Sequence, residues 1–361
     1  MCIRDRGMTY ITSEYIYDIE GGDMLSTKAV LAVIGEELQR VPMPPHDMSG
    51  AHLWHEPLNE REYLRSPQYH LWRTAREAKW ESYMALDMFE LVPESSIDRS
   101  KHQIMRSRFV DRIKWEADGK FNKLNPRWCL IGTDMDPETF KSFAEQMRMS
   151  SFKMFPAIAA AYMPWLIPFE WDLKDAFQST RRDDYPEGEI PDQYGYMPHE
   201  FQEYDEHGNK MICKFKTFIQ GAIDSITYFE KDKVLLLKLA EIYPLLWDSK
   251  VFIYHNTPLN GTDVGLTEIL EYSAAHAGEE LNGMPIGWAL AGTHVDDGIG
   301  LASSEPIIER FKRALEGDKT VHSTRLKMPD RIPTGYNIKL KMGWSQSLGF
   351  RLHIDKLGRS V

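Results

Sequence analysis

The chain has 361 residues, 42% of them hydrophobic and 12% aromatic, with 43 Lys and Arg against 54 Asp and Glu for a formal charge of −11. That is enough apolar matter for one large or two ordinary domains. It excludes a disordered tail and shows none of the overall basic excess that advertises phosphate binding. Three cysteines, Cys2, Cys129 and Cys213, at no close spacing, exclude a disulfide framework or zinc knuckle and fit a reducing, intracellular compartment. The longest apolar run, Phe155 to Phe169, is too short for a membrane span and carries three prolines, and no secretory signal is visible.

The leading MCIRDR resembles translated sequencing adapter at the head of open reading frames from short-read assemblies. Residues 1–68 read as an N-terminal extension and linker, because 40–70 is rich in Pro, His and charge and lacks periodicity. From Tyr69 a helical stripe of Trp72, Ala75, Tyr83 and Leu86 is interrupted by Lys79 and ends before ELVPESS. Two β-rich runs then flank Asp118-Gly119, a hairpin signal, and the stretch from Arg99 to Arg127 holds nine Lys and Arg against three acids. An apolar strand runs into PFEWDLKDAFQ, and a helix is expected from about Ala222 to Ile242. Strands GWALAGTHV and GIGLAS flank an Asp-Asp pair. Ser304 and Pro306 open a helix with Ile308, Phe311 and Leu315 on one face. Finally NIKLKMGW alternates Ile338, Leu340, Met342 and Trp344 as a half-buried strand does. The class is α+β and the order β-α-β-β-α-β, a ferredoxin-like unit, with LTEILEYSAAHAGEEL as an insertion.

Asp296 and Asp297 sit side by side in apolar, glycine-punctuated sequence. Side chains alternate along a strand, so both reach one site only if the backbone turns between them, which Gly298 and Gly300 permit. Close carboxylates repel and require a proton or a cation. Asp172 ends an apolar strand that neighbours the hairpin in this topology and supplies a third carboxylate. The set suits two-metal phosphoryl transfer with two Mg²⁺ or Mn²⁺ ions, one activating the attacking oxygen and one stabilising the leaving pyrophosphate. A solvated Asp-Asp turn is the plainer reading, and it is the one given to Asp183-Asp184, which follow two arginines. In LIGTDMDPET, Asp134 and Asp136 imitate the D-x-D-x-T nucleophile pair of HAD-type phosphatases, with the threonine one residue too late.

With these residues in place, the chain resembles the reverse transcriptase of copia-type LTR retrotransposons over roughly residues 70–355. HVDD resembles that family's Y-V-D-D, FEWDLKDAFQ its MDVKTAFL segment, and SRFVDRIKWEADGKFNKLNPRWCLIG its fingers hairpin. LWRTAREAKWESYMALDMFELVP echoes EWxxAxxxE…WELVP. MSSFK, YGYMPHEF and FIQGAIDSITYF follow in the family's order. The resemblance implies a right-hand polymerase, with fingers over 69–168 and palm over 169–361. Thumb, connection and RNase H parts lie beyond this chain, with an integrase upstream. It implies an RNA-directed DNA polymerase with Asp172, Asp296 and Asp297 as catalytic, metal-holding triad, Asp172 and Asp296 being expected as direct ligands and Asp297 as more tolerant. Its partners would be an RNA template, a DNA primer and deoxynucleoside triphosphates, in the cytoplasm or in virus-like particles.

On the nucleotide side the resemblance places Lys114 and Arg127 on the triphosphate, where Arg binds phosphate bidentately. Asp175 and Ala176 would offer backbone groups, Phe177 would exclude a 2′-hydroxyl, and Gln220 and Gly221 would contact the template side. Lys114 and Arg127 read equally as hairpin surface charges, and Phe177 as a core residue. His294 replaces the family's tyrosine beside the primer terminus, and Asn125-Pro126 replaces Lys-Ala, costing one cation. A folded but inactive retroelement remnant is the alternative function.

Overall fold

The structure, a computed structural model, describes residues 56–115, 121–135, 146–162, 165–259 and 265–343, together with three short strands between Tyr10 and Ser26. It is mixed α+β and divides into two compact units, Met1–Glu56 with Ile113–Asn125, and Pro57–Arg112 with Pro126–Val361. In the first, strands Tyr10–Thr12, Tyr15–Tyr17 and Met24–Ser26 form an antiparallel sheet, and Ile113–Trp115 pairs with Phe121–Leu124. These last two are the strands flanking Asp118-Gly119, whose own turn lies outside the described residues, as do Asp136 and everything from residue 344 on.

The second unit is built on a six-stranded antiparallel sheet. Its strands in chain order are β1 (Ile167–Lys174), β2 (Tyr243–Leu245), β3 (Asp248–Asn256), β4 (Gly287–His294), β5 (Asp297–Ala302) and β6 (Asn337–Met342), in spatial order β2-β3-β4-β5-β1-β6. The segment β6-β1-β5-β4 has the strand order of a split β-α-β-β-α-β unit, so β1 lies beside the β4–β5 hairpin. Its two helices, α3 (Ser225–Leu239) and α5 (Glu305–Leu315), pack on one face. There Phe169, Trp171 and Leu173 of β1 meet Phe229, Leu236, Ile308 and Phe311. The opposite face buries Leu290, Ile299 and Leu301 against α2 (Met149–Tyr162) and α4 (Leu266–Ala275).

β2 and β3 extend the sheet beyond the expected unit. Val251, Phe252 and Tyr254 are all buried, so β3 has no polar face and shows no alternation in the sequence. Helix α3 starts at Ser225 rather than near Ala222, because Gly221, at φ 88°, holds a turn pressed against Leu130. Ser304 is the N-cap of α5 by position, yet its buried hydroxyl makes no cap bond.

Gly298 and Gly300 differ from their expected role. Neither has positive φ, and the chain does not turn at them; a Cβ at Gly298 would overlap the Trp171 ring, and one at Gly300 the Phe169 ring. Their hydrogens make room for β1's two large aromatics on the neighbouring strand.

A further helix, α1 (Tyr69–Ala85), lies with a four-stranded sheet of Phe89–Pro93, Ile104–Met105, Tyr194–Gly195 and Met211–Phe215. Its buried face is Trp72, Arg76, Trp80 and Tyr83, while Leu86 is exposed. Arg76 replaces an apolar residue on this stripe by forming a bidentate pair with buried Asp111, at 2.6 and 3.1 Å. It also bonds Glu60 and Glu200 and lies over the Tyr63 ring. These contacts order part of the expected linker into a helix, Glu60–Leu64, capped by the Asn59 side chain on the Glu62 amide. Among the described residues no helix is long and apolar enough to cross a membrane.

Candidate functional site

Strand register assembles the carboxylates. Asp172 on β1 stands opposite Asp297 on β5, Asp297 opposite His294 on β4, and Asp172 opposite Lys339 on β6. Directly opposed residues share a face with Cβ atoms roughly 5 Å apart. His294, Asp297, Asp172 and Lys339 therefore form one row across four strands. Asp172 and Lys339 are exposed, and the Asp297 side chain is 40% exposed.

The chain reverses through only two residues, Val295 and Asp296. Val295 takes the left-handed conformation, φ 55°, which costs a β-branched residue on the order of 1–3 kcal/mol. The exposed Asp296 sits at the tip, and its carbonyl accepts the Leu173 amide at 2.7 Å, tying the turn to the residue after Asp172. The backbone thus turns before the aspartate pair is complete, and Asp297, not Asp296, lies in register with Asp172.

The electrostatics agree with a crowded anionic cluster. Burial, then the carboxylates of Asp296 and Asp172 against the opposing pull of His294, raise the Asp297 carboxyl to about 6. Its Oδ1 is buried without a hydrogen-bond partner, and His294 Nδ1 stands 3.6 Å away, beyond a hydrogen bond. An orphaned carboxylate oxygen with two further carboxylates beside it suits a divalent cation in charge and donor type. Among the described residues no three His, Cys, Asp or Glu side chains are gathered into a ready-made metal cage. The fit is one of charge and an unmet acceptor, not of a finished coordination shell.

Beyond Asp172, β1 ends at Lys174, and Asp175, with a φ of 50°, bends the chain into the short helix Ala176–Ser179. Ala176 is buried, and Phe177 is half-buried, edge-on to Phe229 at 5.5 Å, at the rim of the α3 core. Lys79 of α1 donates to Asp175 at 2.8 Å. The buried Tyr83 phenol, whose oxygen accepts the Trp128 amide, is pushed up by burial and by Asp175 and pulled down by Arg127. Asp175, Lys79 and exposed Arg127 are thus neighbours around Tyr83. Gln220 and Gly221 lie in the turn ahead of α3, the Gln220 carbonyl accepting the Leu130 amide at 2.9 Å on the strand that Arg127 begins. Lys114 belongs to the first unit, exposed on its hairpin opposite Lys123.

Three cations were not singled out by sequence as site residues: Lys79, Lys339 and the buried Lys233 of α3. For Lys79 the signal was its break in an apolar helical stripe. The other candidates fall away from the site. Asp183 is bound by Arg181, Asp184 accepts from Thr334, and Asp134 is clasped by Arg106 through two guanidinium bonds. In the basic run, Arg99 pairs with Glu94, Lys101 with Asp98 and Arg106 with Asp134.

No family model matches the chain, and no curated protein matches it. Solved structures similar to it include telomerase from Candida albicans in complex with the TWJ fragment of telomeric RNA, 9% identical over 70% of this chain and 44% of that chain, with a TM-score of 0.33. Apo telomerase from Candida tropicalis is 8% identical over 76% of this chain and 49% of that chain, with a TM-score of 0.34. The chain spans less than half the length of either telomerase chain, at 44% and 49%. A likeness this low decides nothing about activity, which has to be read from the residues.

Proposed function

We propose that the chain is the catalytic part of an RNA-directed DNA polymerase of the copia-type retrotransposon class, with residues 69–168 as fingers, 169–361 as palm and 1–68 as an extension. The observation that carries the reading is the cross-strand pair Asp172–Asp297 with Asp296 at the adjoining turn. The family's motifs, in order along the sequence, support it.

Two divalent ions, Mg²⁺ or Mn²⁺, would supply activation of the primer 3′-hydroxyl and stabilisation of the leaving pyrophosphate, and Asp172, Asp296 and Asp297 are the residues that would hold them. The chain's own groups position the reactants. Arg127 binds the triphosphate, with Lys79 as a further cation and Asp175 and Ala176 offering backbone groups. Phe177 packs beneath the incoming sugar and leaves no room for a 2′-hydroxyl. Gln220 and Gly221 face the template, and His294 lies beside the primer terminus. The partners are an RNA template, a DNA primer and deoxynucleoside triphosphates, within an intracellular polyprotein carrying integrase upstream and RNase H downstream.

Primer extension on an RNA template with Mg²⁺ or Mn²⁺ tests this, using the polyprotein segment that includes the downstream thumb. Wild type is expected to extend, and Asp296→Asn to lose on the order of 10³-fold or more in rate. Absence of any Asp296-dependent extension would overturn the polymerase reading. It would favour the second, an inactive remnant, for which His294 in the tyrosine's place and Asn125-Pro126 in place of Lys-Ala speak.

A further inference from the structure

Lys233 is fully buried in α3, beneath the turn that carries the carboxylates. An ammonium in such surroundings is costly unless every N–H is engaged. Its Nζ donates to Glu230 Oε1 at 2.7 Å and to the Val295 carbonyl at 2.8 Å. The second Glu230 oxygen accepts from Lys250 Nζ of β3 at 2.6 Å. Two cations thus share one carboxylate beneath the turn.

Successive carbonyls of the turn are anchored on different elements: that of Val295 by Lys233 of α3, that of Asp296 by the Leu173 amide of β1. Val295 is the residue held at φ 55°, which a β-branched side chain resists. We infer that Lys233 is a positioning residue for the carboxylate turn: by gripping the Val295 carbonyl, with Glu230 and Lys250 orienting its ammonium, it holds the left-handed backbone that sets Asp296 and Asp297 against Asp172. The anchoring stands on the contacts alone, and only its kinetic consequence rests on the polymerase reading.

Hydrogen exchange at the Leu173 amide reads the anchoring without any activity. Lys233→Met is expected to lower protection of that amide about tenfold while Leu290 and Leu301, in mid-strand, keep theirs. Adding Val295→Gly, which takes the left-handed conformation without strain, is expected to restore most of it. In primer extension Lys233→Met should lower kcat with the nucleotide KM unchanged, and the double variant should recover. Uniform loss of protection with no recovery on Val295→Gly would overturn the inference, since a lysine that only fills the core gives that pattern. If Lys233→Met does not fold, Glu230→Gln decides: a selective loss at Leu173 supports the inference and no change there overturns it. Local loss and rescue without wild-type extension would sink the polymerase reading and leave the positioning role standing.

Discussion

Asp297 combines three features: register with Asp172, a buried oxygen without a hydrogen-bond partner, and a carboxyl raised to about 6. A carboxyl raised on folding binds a proton more tightly in the native state than in the unfolded chain. Stability therefore falls as pH rises from the unfolded value near 4 through about 6, and the penalty is complete above it. With the side chain 40% exposed, solvent screening leaves on the order of 1 kcal/mol. In metal-free buffer Asp297→Asn is expected to raise the denaturation midpoint at pH 7.5 and to change little at pH 4.5. Urea titrations at the two pH values check this, and an equal effect at both would refute it. The sequence offers both aspartates without showing that Asp297 is the one opposite Asp172, because a motif names residues but cannot say where a two-residue turn begins. Lys79 was visible as an interruption and Lys233 was not, since KVLLLKL gives no sign that its first lysine points inward.

The elements were legible where their signals are local. The α5 stripe of Ile308, Phe311 and Leu315 is buried, and Ser304 precedes the helix as expected. The strands GWALAGTH and DGIGLA pair across the Asp-Asp turn, with Ala291 opposite Gly300. β3 leaves no local trace in the sequence, because both of its faces are buried and its residues do not alternate. Gly298 and Gly300, which by sequence permit a turn, instead accommodate Trp171 and Phe169 from β1, a contact between residues more than a hundred positions apart. A methyl group at Gly298 would also overlap the Gly292 carbonyl, so little can yield. Gly298→Ala is expected to destabilise the protein by about 1–3 kcal/mol, measured as a lowered Tm, whereas a glycine serving only as a turn-maker at ordinary φ would gain from the change. A rise in Tm would refute the packing role.

At the scale of the whole molecule, charge that looks available in the sequence is partly spent inside the fold. The basic run from Arg99 to Arg127 suggested a nucleic-acid face, but Arg99, Lys101 and Arg106 are paired with Glu94, Asp98 and Asp134. With three of its nine cations paired, the run should bind single-stranded RNA more weakly than its sequence suggests. The logarithm of its affinity should fall with the logarithm of salt at a slope of about −4 or shallower, near −0.7 per phosphate neutralised. Fluorescence anisotropy between low and physiological salt measures the slope, and a much steeper one would show that the paired arginines release their partners to phosphate.

The sequence by itself determined the order of strands and helices around Asp172 and the Asp296–Asp297 pair, together with a short list of candidate side chains. Alternation, capping residues and turn dipeptides act over a few residues and leave a local trace. Only the tertiary structure decided that Asp297 faces Asp172, that Val295 takes the left-handed bend over a buried lysine, and that Arg76 orders the segment before α1. Register, burial and ion pairing are set between residues far apart in the chain, and a single sequence does not say which of them will meet.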